Sequence, residues 1–335
     1  MINRISNTFL ALLMVGLLPI SVLLSVSVGE VQVSWNHWAE LFYGMDTLQA
    51  NILYHIRLPR TLMAIVVGGS LSLCGVILQG IYRNPLVEPY TLGISGGASL
   101  GATLTMVLGW AVLGSWTLPF SGFVGALLAI FMVYSLSLAG GQVDIQRMLL
   151  VGVMVSFIAS SVVMFLMSIA SVKDIPGIVF WTMGSLTRPL DALLISGLLL
   201  SLVVLVVSMF FALQLNALSI GDALARHLGV NTNVVIRLLF LLTSLLTGYC
   251  IALAGVIGFV GLVVPHFTRF FVGPDHRWLL PLAYLNGATF LLLCDVLARL
   301  LLAPTELPIG VITGIIGGIS FLLIMYQRKR AVNPA

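Results

Sequence analysis

The loop Arg83-Asn84-Pro85-Leu86-Val87-Glu88-Pro89 places two prolines and two opposite charges between apolar stretches of membrane length. Proline removes a backbone donor and hydrocarbon cannot satisfy the groups left over, so this loop is expected outside the lipid or lining a polar cavity, as part of a transport path. Other reactive residue types are sparse. His37, His55, His227, His266 and His276 form no HExxH or close pair, and although Pro265-His266 and Asp275-His276-Arg277 flank one loop, a metal site there is the weaker reading. Cys74, Cys250 and Cys294 lie in apolar segments without CxxC spacing and read as small core residues. No paired carboxylates or Ser-His arrangement supports catalysis. No GxxxxGK motif followed by Ser or Thr is present, so the chain does not bind ATP in that way by itself. Asp295 is the main intramembrane carboxylate, whereas proton- or sodium-coupled carriers usually need several such groups near mid-bilayer. An outside energy source is therefore expected.

The elements that must position these residues are set by composition. The chain has 335 residues, of which 60% are hydrophobic and 8% charged, with a mean hydropathy of +1.14. A soluble globule carries about a quarter charged residues. A span needs ~20 apolar residues, and the sequence divides almost wholly into such stretches, which predicts one polytopic all-α membrane domain over 1–335. The expected spans are 7–28, 58–81, 91–110, 116–138, 147–170, 191–213, 233–254, 256–272, 279–302 and 309–326. The apolar run from Phe9 to Val28 exceeds a signal peptide's usual core and is read as a retained helix. The break at Ala254-Gly255 decides whether two helices or one kinked run occupies that region.

The net charge is +4. Basic residues are scattered singly, with Arg328-Lys329-Arg330 as the cluster, so positive-inside topology explains them better than nucleic acid. With both termini in the cytoplasm, Arg4, Arg83, Arg147, Arg226, Arg237, Arg269, Arg277, Arg328, Lys329 and Arg330 fall inside, and Arg57, Arg60, Lys173, Arg188 and Arg299 outside. Trp35, Trp38, Tyr43 and Tyr54 suit an outer interface, and the outer loop 171–189 is expected to hold a short helix. In the longest inner loop, 214–233, Ser219 can cap a short helix through Asp222 to His227 and Gly229 can end it. Such a structured loop suits docking of a partner.

Several patterns carry two readings. Gly68-Gly69-Ser70, Gly96-Gly97-Ala98-Ser99, Gly314 and Gly317-Gly318 fit close helix packing or a lined path. Arg57 and Arg60 share a face, either snorkelling at the interface or meeting an acidic docking partner. Asp295 and Arg299, four apart, fit an intrahelical pair, a docking role, or both. Thirteen methionines, including Met148, Met154, Met164 and Met167, suit adaptable packing or a cushion for a bulky ligand. A faint echo relates the Gly-rich helix, Pro-containing loop and Gly-Ala stretch of 68–98 to 255–288, as in transporter repeats.

Taken together, RLPR at 57–60, RNPLVEPYTLGISGGASLGA, ALSIGDALARHLGVN, GVIGFVGLVVPHFTR and DVLARLLLAPTELPIGVITGIIGG closely resemble the FecCD-type permeases of ABC importers, from about residue 50 onward. The resemblance implies a type II importer permease fold of ten helices in the inner membrane, in contact with lipid. It implies a second permease copy, two ABC ATPase subunits that hold ATP and Mg, and a periplasmic substrate-binding protein. It implies no cofactor or metal on this chain. Cargo in the family is a ferric siderophore or haem foremost, with cobalamin and molybdate as alternatives. Ser219, Gly221, Asp222 and Arg226 fall on the ATPase-coupling loop. Arg57, Arg60 and Arg299 match arginines that grip acidic residues of the binding protein. Asn84, Leu86, Ile145 and Gln146 map to the cytoplasmic gate, and Ser156, Ser160, Ser161, Met164 and Met167 to the pathway on the fifth helix. Relatives carry small hydroxyl residues where Ile145 and Gln146 stand. A stand-alone carrier or channel and an intramembrane enzyme are the rival classes.

Overall fold

Each apolar run closes its own backbone hydrogen bonds as a helix, since lipid offers no partner for open N–H and C=O groups. In the computed structural model, which describes residues 2–29, 47–139 and 142–332, the helices are α1 (Ile2–Ser27), α2 (Leu58–Tyr82), α3 (Ile94–Val107), α4 (Thr117–Leu136), α5 (Ile145–Ile169), α6 (Ile175–Met183), α7 (Ala192–Phe210), α8 (Ala212–Ile220), α9 (Asp222–His227), α10 (Thr232–Ala254), α11 (Val260–Val272), α12 (His276–Leu300) and α13 (Ile309–Val332). All ten expected spans have their helix, and α6 supplies the short outer one. Six are long and apolar enough to cross a membrane; α1, α3, α11 and α13 contribute shorter apolar stretches. Among the described residues the fold is all-α except for a two-stranded antiparallel ribbon, Leu138–Ala139 with Gln142–Val143, just before α5. Trp35, Trp38 and Tyr43 lie outside the described residues, as do the side chains of Arg4 and the 328–330 cluster.

The layers form around α2, which continues from Leu48–Ile52 through a π-helical turn at Leu53–Arg57. Its spanning window is 89% buried, against 28% for α5 and α7. Helices α12, α10, α11 and α7 pack around it; α3, α4 and α5 form a neighbouring layer, and α13 packs on α11 and α12. Without a hydrophobic drive between spans, such contacts rely on backbones that approach closely. Gly68 and Gly287 supply that at the α2–α12 crossing, where a β-carbon on either would run into the other's carbonyl oxygen. Gly97 and Gly125 do the same between α3 and α4. The packing reading therefore holds for these positions, whereas Gly314 has nothing within 4 Å of its β-position.

The break after α10 is real. Gly255 has φ 71 and ψ −160, donates to Ile251 O at 2.8 Å and leaves no room for a β-carbon beside the Trp181 carbonyl, so α10 ends there and the chain resumes as α11 at Val260.

Gly68→Ala is expected to lower stability by about 1–3 kcal/mol because the new carbon meets a fixed backbone oxygen. Gly16→Ala, whose β-position is open, should change it by less than about 1 kcal/mol. Thermal unfolding of the two purified variants in detergent measures the contrast, and equal shifts would refute the close-packing account.

Candidate functional site

At the inner end of α2 the chain turns through Arg83 in the left-handed region, φ 50. Asn84 Oδ1 then accepts the Leu86 N–H at 3.0 Å, and Val87 N–H reaches Asn84 O at 3.3 Å. This tight turn lifts Leu86 to 46% exposure while burying Val87. Asp144 caps α5 by accepting the N–H groups of Gln146 at 3.0 Å and Arg147 at 3.1 Å, so Ile145 and Gln146 begin that helix in a fixed orientation. Loop and helix are joined through the 3-10 turn Pro89–Leu92, which packs against Gly152 of α5. The loop is not simply a surface turn. Glu88 Oε2 accepts the Phe259 N–H at 3.1 Å, Tyr90 OH accepts the Ile257 N–H at 3.2 Å, and Gln79 Nε2 donates to Gly261 O at 3.2 Å. Thus side chains of the irregular segment 83–93 satisfy backbone N–H groups of a second irregular segment, 255–259.

Helix α5 has a packed stripe of Met148, Gly152, Val155, Ala159, Val163 and Leu166. Ser156, Ser160, Met164 and Met167 fall beside it on one further stripe, since positions four and eleven apart nearly superpose on a helix. Met164 is 71% exposed, Ser160 is exposed, and Ser156 and Met167 are partly buried. Ser161 also faces out, with its hydroxyl bonded back to Phe157 O at 2.9 Å. The rotation of the helix, open in the sequence, is fixed by the small residues that pack on the Pro89–Leu92 turn and on α3.

The inner loop 214–233 is fully structured. Ser219 does not cap α9: it lies within α8 and its hydroxyl donates to Asn216 O at 2.7 Å. Gly221 takes the cap position instead, with φ 148, a conformation that disfavours a side chain. Asp222 pairs with Arg226 at 2.9 Å, and Arg226 Nε also donates to Thr232 Oγ1 at 3.1 Å, holding α9 against α10. Gly229, φ 82, follows the helix as expected. Two features escaped sequence reading. Ile220 ends α8, Leu224 lies on α9 and Leu228 follows it, and these apolar side chains stand exposed at 67%, 49% and 66% as the ridge of the loop. Asn216 fastens α8 to α12: its amide donates to Asp275 Oδ1 at 2.8 Å, and its oxygen accepts from His276 N at 2.9 Å and Nδ1 at 2.7 Å. Because that oxygen only accepts, His276 Nδ1 carries the proton. Asp275 is held well below the usual carboxylate range, chiefly by hydrogen bonds from Arg277.

At the outer end, Arg57, Arg60 and Arg299 are turned inward. Arg57 donates to Val26 O at 2.7 Å and Ser27 O at 2.9 Å, and Arg299 donates to Val28 O at 2.7 Å and Ser25 O at 3.1 Å. These carbonyls end α1 and have no helical partner, so the guanidinium groups cap it. Asp295, fully buried, takes Arg60 at 2.6 Å and its own-helix neighbour Arg299 at 3.1 Å, while Glu306, half-exposed, takes Arg60 at 2.7 Å. The expected Asp295–Arg299 pair exists within this larger cluster. The outer positive charge thus has an internal cause that the sequence did not disclose. Among the described residues, no group of three His, Cys, Asp or Glu side chains could hold a metal ion, and all three cysteines are free and buried.

A model of the FecCD transport family matches residues 17–327. The chain is 40% identical over 284 residues to the hemin transport system permease of Yersinia pestis, covering 84% of this chain and 85% of that one. It is 35% identical to the molybdate import system permease of Haemophilus influenzae, with 94% of each covered. Among solved structures, one described as an inward-facing metal-chelate type ABC transporter superposes with a TM-score of 0.86 at 32% identity, covering 96% of this chain and 99% of that one.

Removing the acid at the centre of the outer cluster leaves the buried Arg299 guanidinium without a carboxylate and Arg60 with Glu306 alone. Asp295→Ala is therefore expected to destabilise by about 3–5 kcal/mol. Glu306→Gln, at a half-exposed position, should cost under about 1 kcal/mol. Unfolding midpoints of both variants decide it; equal effects would mean that Asp295 does not organise the cluster.

Proposed function

The chain belongs to the FecCD transport family and is the non-catalytic permease subunit of an ABC importer in the cytoplasmic membrane; on that premise we propose that its cargo is a metal chelate, a ferric siderophore or haem foremost. The observation that carries this reading is the α5 stripe: hydroxyls and thioethers without a charged side chain suit a bulky, charge-neutralised complex that must pass without being held. The 40% identity to a hemin permease favours the same class. Molybdate is the second reading, on the 35% identity to a molybdate permease, and cobalamin shares the chelate logic.

In the proposed complex, two copies of this chain place their α5 stripes on either side of a two-fold axis, with both termini in the cytoplasm. The ridge Ile220, Leu224 and Leu228, held rigid by Gly221, Asp222 and Arg226, seats in a groove of each ATPase subunit. ATP and Mg belong to those partners. Asn84, Leu86, Ile145 and Gln146 close the path on the inner side.

A periplasmic binding protein docks at the opposite end. Arg57, Arg60 and Arg299 serve it there chiefly through their field, since all three guanidinium groups are turned inward, onto the end of α1, Asp295 and Glu306. Docking affinity should accordingly fall as salt rises from low to physiological ionic strength. Salt-independent affinity rules this role out.

Reversing charge at Arg226 opposes Asp222 four residues away and frees α9 from Thr232. Arg226→Glu is expected to abolish co-purification of the ATPase together with cargo uptake. Uptake that survives without the ATPase eliminates the importer assembly. Parallel uptake of labelled ferric siderophores, haem, cobalamin and molybdate, with and without the gene, identifies the cargo: loss of molybdate uptake alone would reject the chelate assignment.

A further inference from the structure

Phe259 adopts φ 68 and ψ −20, a left-handed conformation that is strained for a bulky residue and persists only where its surroundings impose it. Three contacts impose it here. Its N–H is held by the Glu88 carboxylate at 3.1 Å, its ring packs over Gly317 of α13, and its carbonyl starts α11 by accepting from Val263 N at 2.9 Å. The loop side is equally tied. Gln79, at the end of α2, donates to Val87 O at 3.4 Å as well as to Gly261 O and Leu262 O, and its own oxygen accepts Arg269 Nη2 at 3.2 Å. Pro89 packs directly on the Gly261 backbone. Glu88 and Tyr90 thereby supply acceptors to two N–H groups of the non-helical stretch before α11, as a helix cap would, but from the opposite half of the chain.

The same loop also reaches the coupling face. A β-carbon at Gly221 would stand 3.7 Å from Arg83 Nη1, so the guanidinium group at the start of the loop lies over the turn that begins α9. A displacement of α9 therefore meets the loop at Arg83, and the loop is fixed to the far half at Glu88.

We propose that Glu88 is a positioning residue for transport: its carboxylate binds loop 83–92 to the start of α11, so that the gate loop and the 255–261 segment move as one unit when the coupling helix moves. This deepens, and rests on, the importer reading above. The loop is then not a free flap. Opening the inner end carries the α10–α11 break and the α13 packing at Gly317 along with Asn84 and Leu86.

The test uses the complete importer, with its ATPase and binding protein, in proteoliposomes, measuring uptake and ATP hydrolysis together. Glu88→Ala is expected to cut cargo moved per ATP by about tenfold, the scale of one lost buried hydrogen bond, while hydrolysis continues. Glu88→Gln, which keeps an acceptor oxygen, should remain within about twofold of the parent. Normal coupling in Glu88→Ala, or an equal loss in Glu88→Gln, overturns the proposal.

Amide hydrogen exchange on the unaltered complex provides a measurement independent of variant folding. Residues 255–262 should stay equally protected with and without bound nucleotide. Exchange that rises in one state means that the clamp opens, and the proposal fails. Absence of ATP-driven uptake by the parent complex would instead strike the importer reading, and the exchange result would still decide the clamp.

Discussion

Backbone polar groups inside a bilayer must find partners within the protein, and this requirement organises the molecule. Ten apolar segments meet it as helices, but two stretches, 83–93 and 255–259, leave helical geometry at places where the chain needs a turn. Neither could stand alone in hydrocarbon. The first supplies Glu88 and Tyr90 to open N–H groups of the second, and Gln79, near the end of α2, bonds both Val87 O of the first and Gly261 O at the start of α11. These two irregular stretches thus meet at one internal junction between the halves of the chain.

That junction needs helices that approach closely, and the glycines of α2 permit it. Gly68 against Gly287 and Gly75 against Gly261 bring the α12 and α11 backbones onto α2 with no side chain between. At Gly75 the contact lies on Gly261, the same residue that Pro89 covers and Gln79 bonds. Small-residue packing and polar satisfaction are therefore one arrangement. A larger residue would push apart the surfaces whose hydrogen bonds hold the loop.

The helices were legible because apolar length is a local property, and so was the Asp222–His227 helix with its Gly229 terminus. The family was legible from five ordered motifs. Other features depended on distant partners. Ser219 has the right type for a helix cap, yet Gly221 comes two residues later and offers a backbone geometry that serine does not; α8 simply runs on through Ser219. Arg57, Arg60 and Arg299 were visible as misplaced positive charge, but their partners are the terminal carbonyls of α1, the buried Asp295 and Glu306, which stand far apart in the chain. The echo between 68–98 and 255–288 hinted at related halves without disclosing that Glu88 reaches Phe259. The stripe on α5 could be listed residue by residue, whereas its direction followed only from Gly152 packing on the Pro89–Leu92 turn.

The distribution of charge also says where work can enter. In the membrane domain, Asp295 is held between two arginines and Glu88 is engaged by a backbone N–H, so both carboxylates have partners within the fold. The inner face is different. There an apolar ridge stands on a short helix braced by an ion pair, and the preceding α8 is bonded through Asn216 to the first turn of α12. His276 in that turn packs in turn on Gly80 near the end of α2. A force applied to α9 cannot be absorbed by an idle linker, because α8, α12, α2 and the loop after α2 are consecutive contacts. Rigidity of this kind converts a local push at the surface into displacement of packed helices, since close-packed interiors shift between discrete arrangements more readily than they deform.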